Sequence, residues 1–163
     1  MLASTRFNSK TLQERNTYLE THGMKCIYGT PNRIKPSVPL DKLLFVVEMN
    51  NETNQIEGIG LIRNFVCDTR PIYSDYNYNR YIYSGQYRVT REQMERTDKD
   101  VVDILDLILF KGYTHIKRHS GITMIPPKLL VDERTRGVNL TERIREIFKM
   151  QRKKIKKKIK LIL

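Results

Sequence analysis

An α+β domain, built on a small, mostly antiparallel sheet or partial barrel with flanking helices and followed by a basic amphipathic helix, is the fold predicted by this 163-residue sequence. Three observations carry that expectation. Residues 43–49 and 56–62 are apolar runs on either side of a polar turn, the pattern of a hairpin. Residues 81–89 alternate with a period of two, as a strand does. From Leu140 onward, apolar residues recur every three or four positions, the period of a helix. A hydrophobic content of 39% suffices for one core. The expected organisation is an α+β body over residues 1–138 and a helical tail over 139–163.

Taken in order, Thr11 and Glu14 form a capping-box pair ahead of a stripe of Leu12, Arg15, Tyr18 and Leu19, and Gly23 ends that opening helix. Residues 24–28 read as a brief strand. Residues 29–41 carry Pro31, Pro36 and Pro39, which exclude both a helix and a central strand. The run 43–49, apolar except for Glu48, predicts a strand covered on both faces, with 56–62 as its hairpin partner. In 81–89, Tyr81, Tyr83, Tyr87 and Val89 share one face and Ile82, Ser84, Gln86 and Arg88 the other, with an interruption at Gly85. Thr97 or Asp98 caps a helix over 99–110 with Asp100, Asp103 and Asp106 on its wet face. An extended strand and loop over 113–125 and a short helical piece from Pro126 to Leu130 follow. Asn139 with Glu142 opens the last helix.

The charge is concentrated at one end. The chain has 30 Lys+Arg against 18 Asp+Glu, a formal net charge of +12. Residues 139–163 hold ten of those cations and only two acids, so two thirds of the excess lies there. A polyanionic partner is implied, nucleic acid first and an anionic membrane surface second. No stretch is long and apolar enough for a membrane span, because even residues 101–110 contain Asp103 and Asp106. Cys26 and Cys67, without a secretory signal pattern at the start, predict free thiols in a reducing compartment.

The hairpin residues Leu44-Phe45-Val46-Val47-Glu48-Met49-Asn50-Asn51, with Asn54, Ile56, Gly58-Ile59-Gly60-Leu61-Ile62 and Asn64, resemble a family of uncharacterised proteins of nucleocytoplasmic large DNA viruses, the mimivirus-like group. The segments 81–89 and 112–119 extend the likeness over roughly residues 24–130. It implies a viral protein at work in the host cytoplasm, in the viral factory, or inside the virion, with other viral proteins as neighbours. A looser likeness is to PUA-like barrels, which include ASCH, EVE and YTH modules and bind RNA or modified bases. The chain has no tryptophan, on which the aromatic cages of YTH modules lean, so no base-binding cage is carried over.

The candidate contacts follow from chemistry. Arg152, Lys153, Lys154, Lys156, Lys157, Lys158 and Lys160 form a cationic ridge beside the apolar stripe Leu140, Ile144, Ile147, Phe148, Gln151, Ile155, Ile159 and Ile162. That ridge can lie solvated while the stripe packs on the body or a partner protein, bind phosphates, or rest on an anionic membrane. Lysine, a point charge without arginine's planar fork, suits phosphate contacts more than base readout. Tyr81, Tyr83 and Tyr87 near Arg88 can stack on unpaired bases, or line a sheet rim as ordinary strand residues. Lys117 and Arg118 make a second basic patch.

Other motifs point away from catalysis. His115 and His119 lack a third ligand at a metal-binding spacing, and Gly58-Ile59-Gly60 lacks the third glycine and following helix of a phosphate loop, so its glycines serve close backbone approach or a bulge. Glu48, a carboxylate inside an apolar strand, is the acid whose burial matters. No metal, cofactor or catalytic residue is expected. The function so implied is non-enzymatic binding of DNA or RNA through phosphate contacts, in genome packaging or as a transcription or replication accessory. The alternative is a virion structural protein, minor capsid or inner-membrane-associated, that docks neighbours with its basic helix.

Overall fold

The computed structural model describes residues 1–112 and 116–162, with the backbone alone at 158, 159, 161 and 162. Its elements are β1 (Leu2–Phe7), α1 (Ser9–His22), β2 (Cys26–Thr30), β3 (Leu43–Asn50), β4 (Gln55–Arg63), β5 (Tyr81–Gly85), β6 (Tyr87–Thr90), α2 (Arg91–Phe110), β7 (Thr123–Met124), α3 (Pro127–Leu130) and α4 (Leu140–Ile162). They form an α+β fold. Five strands in the order β6-β4-β3-β1-β7 make one open sheet, and β2 with β5 makes a second, two-stranded one. Every pairing among the described residues is antiparallel except β1 with β3. Neither sheet closes into a barrel.

The hairpin is the centre of the fold, as its apolar runs predict. Along β3, Phe45, Val47 and Met49 join a core with α2 and α4, while Leu44 and Val46 join a second core with β2, β5 and Tyr18 of α1. This alternation explains why β3 reads as a continuous apolar run: both of its faces are covered. Opposite it, Glu57 is bulged out between Ile56 and Gly58, the partners of Met49 and Glu48. Gly60 provides close approach, since a Cβ there would overlap the hydroxyl of Tyr28.

Several expectations are corrected. The opening strand β1 was not foreseen, although it lies between β3 and β7. The true cap of α1 is Asn8, whose side chain accepts from Thr11 N at 2.8 Å, rather than Thr11 itself. Residues 81–89 are not one strand but two. The chain leaves the small sheet at Gly85 and enters the large one at Tyr87, where it pairs with β4. The helix expected from 99 begins at Arg91 instead, capped by Thr90, and breaks at Asp98, which has φ −159°. Asp98 therefore caps the second segment, as the sequence predicts, but a first segment precedes it. Asp106 is not on a wet face. Its carboxylate accepts from Ile56 N at 2.9 Å and from Arg91 at 2.8 Å, tying α2 to the end of the hairpin. Of the strand expected over 113–125, only Thr123–Met124 is extended, Ile116–Arg118 forms a 3-10 turn, and residues 113–115, including His115, lie outside the described residues.

The last helix is only partly a tail. Leu140, Ile144 and Ile147 are buried in the first core, and Arg143 grips the Asp98 carboxylate at the α2 break with two bonds of 2.6 and 2.7 Å. Gln151 donates to Thr97 Oγ1 at 3.1 Å, and beyond it Ile155 is 56% exposed. The apolar stripe thus packs on the body as far as Gln151 and is open to solvent at Ile155.

Candidate nucleic-acid interface

Two different constellations of charge emerge, one buried and one open. The buried one centres on Glu48, which is fully enclosed between the two sheets. Arg15 of α1 donates Nη1 to Oε1 at 2.7 Å and Nη2 to Oε2 at 3.2 Å. Arg88 of β6 donates Nε to Oε1 at 2.9 Å and Nη2 to Oε2 at 2.6 Å, and the Tyr28 hydroxyl donates to Oε1 at 2.7 Å. Gly58 and Gly60, on the same side of β4, leave the space in which these groups meet, because a Cβ at either would collide with Arg88, Tyr28 or Cys26. Burial alone would raise the Glu48 pKa, but the two guanidinium groups hold it far below the usual carboxylate range. Burial, reinforced by Glu48, pushes the Tyr28 hydroxyl well above its ordinary value. This cluster is an internal tie between α1, β3 and β6. Arg88 belongs to it, and so is not free for the phosphate contact that its spacing among tyrosines suggests.

Cys26 lies beside the same cluster, with its thiol 3.5 Å from the Tyr87 carbonyl. Burial and the Glu48 charge push it up to about 12, whereas Cys67 is half-exposed and its sulfur is 3.1 Å from Ser84 Oγ. Since the thiolate is the reactive form, one equivalent of a thiol reagent is expected to react with the native protein, at Cys67, and a second only after unfolding. Mass spectrometry of the alkylated peptides checks this, and rapid labelling of Cys26 in the folded protein contradicts it.

The open constellation is a groove where α4 crosses the sheet. Phe45, Leu61 and Tyr87 stand side by side on adjacent strands, Phe45 opposite Leu61 and Leu61 opposite Tyr87. Phe148 of α4 leans over this row with its ring 5.0 Å from that of Phe45. Arg145, Lys149 and Arg152, spaced by about one helical turn, form the α4 wall, and Lys42 and Leu43 the facing rim; together they bound a cavity of about 390 Å³. A second hollow of about 590 Å³ continues from it past Arg63, Phe65 and Gln86, sharing Leu43, Leu61, Tyr87 and Arg152 with the first. Leu43 and Tyr87 are each 45% exposed and Phe65 64% exposed. The Arg152 guanidinium sits 5.8 Å from the centre of the Tyr87 ring. Arg145 pairs with Glu142, and Lys149 with Glu146 at 2.6 Å, both on the exposed helix surface where such pairs exchange readily with other anions.

The expected contact residues divide accordingly. Arg152 and Tyr87 meet in the groove. Lys153, Lys154, Lys156, Lys157 and Lys160 are exposed on the projecting half of α4, and the side chain of Lys158 lies outside the described residues. Tyr83 is 1% exposed, its hydroxyl accepting from Ile34 N at 3.2 Å, so it is a core residue and not a stacking platform. Tyr81 is half-buried beneath the Arg33 guanidinium at 4.8 Å. Lys117 and Arg118 are far from the groove, at the opposite end of the hairpin, where the Lys117 ammonium donates to Asn54 and its carbonyl accepts from Asn51 at 2.8 Å. With about 3.3 Å of rise per residue, the eight residues of β3 separate the two basic sites by roughly 23 Å. Lys42, Arg63, Phe65, Arg145 and Lys149 also line the groove and its continuation, and they are brought there by the fold from three separate stretches of the chain. Only the helical spacing of Arg145, Lys149 and Arg152 hinted at a common face.

Among the described residues no three His, Cys, Asp or Glu side chains converge as a metal site, and no helix is long and apolar enough to cross a membrane. No family model matches the chain, and no curated protein or solved structure is significantly similar to it.

Proposed function

We propose that this protein is a non-enzymatic nucleic-acid-binding protein that holds an unpaired strand, phosphates on the basic ridge of α4 and bases against the apolar floor of the groove. The observation that supports this most is the placement of an exposed Tyr87, with Phe65 beside it, on a floor walled by Arg145, Lys149 and Arg152. Sequence-indifferent single-strand binding combines cations that track the backbone with aromatic faces on which bases stack. The remaining lysines, on the projecting helix, extend the cationic track without adding base contacts. Given the likeness of the hairpin to proteins of large DNA viruses, we place this binding in genome packaging or in transcription or replication.

The test is affinity for an unpaired 30-nucleotide strand and for a duplex, each at two salt concentrations. Stacking contributes about 1–3 kcal/mol per base, so Tyr87→Ala is expected to weaken single-strand binding at least about fivefold and leave duplex binding unchanged. An equal loss on both ligands, or on neither, overturns the groove as a base platform. Exposure of Ile155 favours a second reading, in which the projecting helix docks a neighbouring viral protein. Ile155→Ser separates the two: it preserves every cation, and so preserves nucleic-acid affinity, but removes the apolar contact that docking requires.

A further inference from the structure

The open end of the hairpin, where β3 starts and β4 stops, carries an apolar tip whose side chains face solvent. Residues 39–42 form a turn there, closed by Lys42 N donating to the Pro39 carbonyl at 3.3 Å, with Asp41 in the left-handed region at φ 60°. Asn64 clamps this turn. Its carbonyl accepts from Asp41 N at 3.1 Å, its N–H donates to the Lys42 carbonyl at 2.9 Å, and its side chain donates to the Val38 and Pro39 carbonyls at 2.9 and 3.1 Å. Arg63 adds a bond of 3.2 Å to the Asp41 carbonyl. The corner of the clamped turn is Leu40, which at 83% is the most exposed large apolar side chain among the described residues. Leu43 and Phe65 flank it, one following the turn and the other following its clamp. With Tyr87, they make four of the nine large apolar side chains that stand exposed, so this is a cluster and not the usual scatter.

The ground behind the tip is cationic. Lys42, Arg63, Arg145, Lys149 and Arg152 line the two hollows there, against Asp41 alone. Arg145 and Lys149 pair with Glu142 and Glu146, but Lys42, Arg63 and Arg152 make no ion pair among the described residues. From Arg152 the helix runs on through Lys153, Lys154, the exposed Ile155, Lys156 and Lys157.

That combination selects among occupants. A nucleic acid gives Leu40 nothing, since an aliphatic side chain has no face on which a base stacks and no group for a phosphate. A second copy docked through the same surface sets cation against cation. An anionic bilayer meets both demands: its hydrocarbon takes the apolar tip, and its headgroups lie at the level of the cations behind. The clamp serves such a contact, because a tip already held in one shape loses little conformational freedom on insertion.

We propose that Leu40, Leu43 and Phe65 insert into the surface of an anionic bilayer, with Lys42, Arg63 and Arg152 against its headgroups. The inference does not rest on the single-strand reading, since Leu40 lines neither hollow of the groove.

Co-sedimentation of the full chain with vesicles tests it, one set of phosphatidylcholine alone and one of two parts phosphatidylcholine to one of phosphatidylserine. The anionic vesicles are expected to bind at least about tenfold more strongly, by an advantage that shrinks as salt is added. Leu40→Ser keeps every cation and every bond of the clamp. It is expected to lower partition into anionic vesicles at least about fivefold, with the melting temperature and the affinity for the unpaired strand unchanged. The chain contains no tryptophan, so Leu40→Trp places a single indole at the tip. Its emission is expected to shift to the blue on anionic vesicles and to be quenched by lipids brominated along their chains. Equal binding to neutral and anionic vesicles, undiminished partition of Leu40→Ser, or an indole that keeps its aqueous emission while the protein sediments would each overturn the assignment. So would a dimer in solution that Leu40→Ser dissolves, which gives the tip to a second copy.

Discussion

Glu48→Gln is expected to destabilise the fold by about 3–5 kcal/mol, the usual cost of breaking a buried pair and leaving charge uncompensated. Two guanidinium groups, Arg15 and Arg88, then face each other with no anion between them, and Arg15 has no route to water because it is as fully buried as Glu48. The carboxylate also organises three elements at once, so its loss loosens α1 and β6 from the hairpin together. In a chain of this size the melting temperature is expected to drop by about 10 °C or more. The pH dependence gives an independent check. The Glu48 pKa is depressed by folding, so its contribution is fully present above about pH 4.3, where a free glutamate titrates, and is lost progressively as the pH falls below it. Denaturant titrations at pH 7 and pH 3 should therefore show a gap between the native protein and Glu48→Gln that narrows in acid. A gap of less than 1 kcal/mol at neutral pH would mean that the cluster is not the tie described.

Removing residues 152–163 is expected to produce the largest change in binding with the least change in fold. Seven cations are lost, from Arg152 to Lys160. The helix retains Leu140, Ile144, Ile147 and the Gln151 bond to Thr97, which anchor it to the body. Each phosphate contact on a single strand contributes about 0.7 to the slope of log affinity against log salt, so the slope should become shallower by up to about 5. The melting temperature should move by no more than a few degrees. A truncated protein with an unchanged salt slope would confine the contacts to the groove itself, to Arg145, Lys149 and the Lys42 rim.

How much of this was legible depends on distance along the chain. The hairpin could be read because each of its strands is apolar but for a single acid, Glu48 in one and Glu57 in the other, and the turn between them is polar. The last helix could be read because its stripe repeats within a few residues. The strand Leu2–Phe7 could not: Ser4, Thr5 and Arg6 give it no apolar period, and its burial comes from the strands on either side. The tyrosines misled for a related reason. Perfect alternation places Tyr83 and Tyr87 on one face, but the chain changes sheets between them, so one ring is sealed in the core and the other stands open. Glu48 could be singled out as an acid in an apolar strand, yet its partners lie 33 and 40 residues away and nothing local announces them. The groove is harder still, since Leu43, Leu61, Phe65, Tyr87 and Arg152 converge only once the sheet and α4 are assembled.

The position of β1 has a consequence for how the protein is made. Its residues pair on one side with residues 45–50 and on the other with residues 123 and 124, so that Ala3 finds both Val46 and Met124 as neighbours. During synthesis one edge of the strand can pair once residue 50 has emerged, but the other stays bare until residues 123 and 124 have been made. The hairpin can form early, because its halves are adjacent, but the sheet cannot be sealed until β7 arrives from the far side. Folding dominated by such distant pairings is slow, and a nascent chain stalled short of residue 124 exposes an unpaired edge of the kind that recruits other strands. The basic helix follows the residues that close the sheet, so its cationic ridge is made only after the strands of the body that orients it.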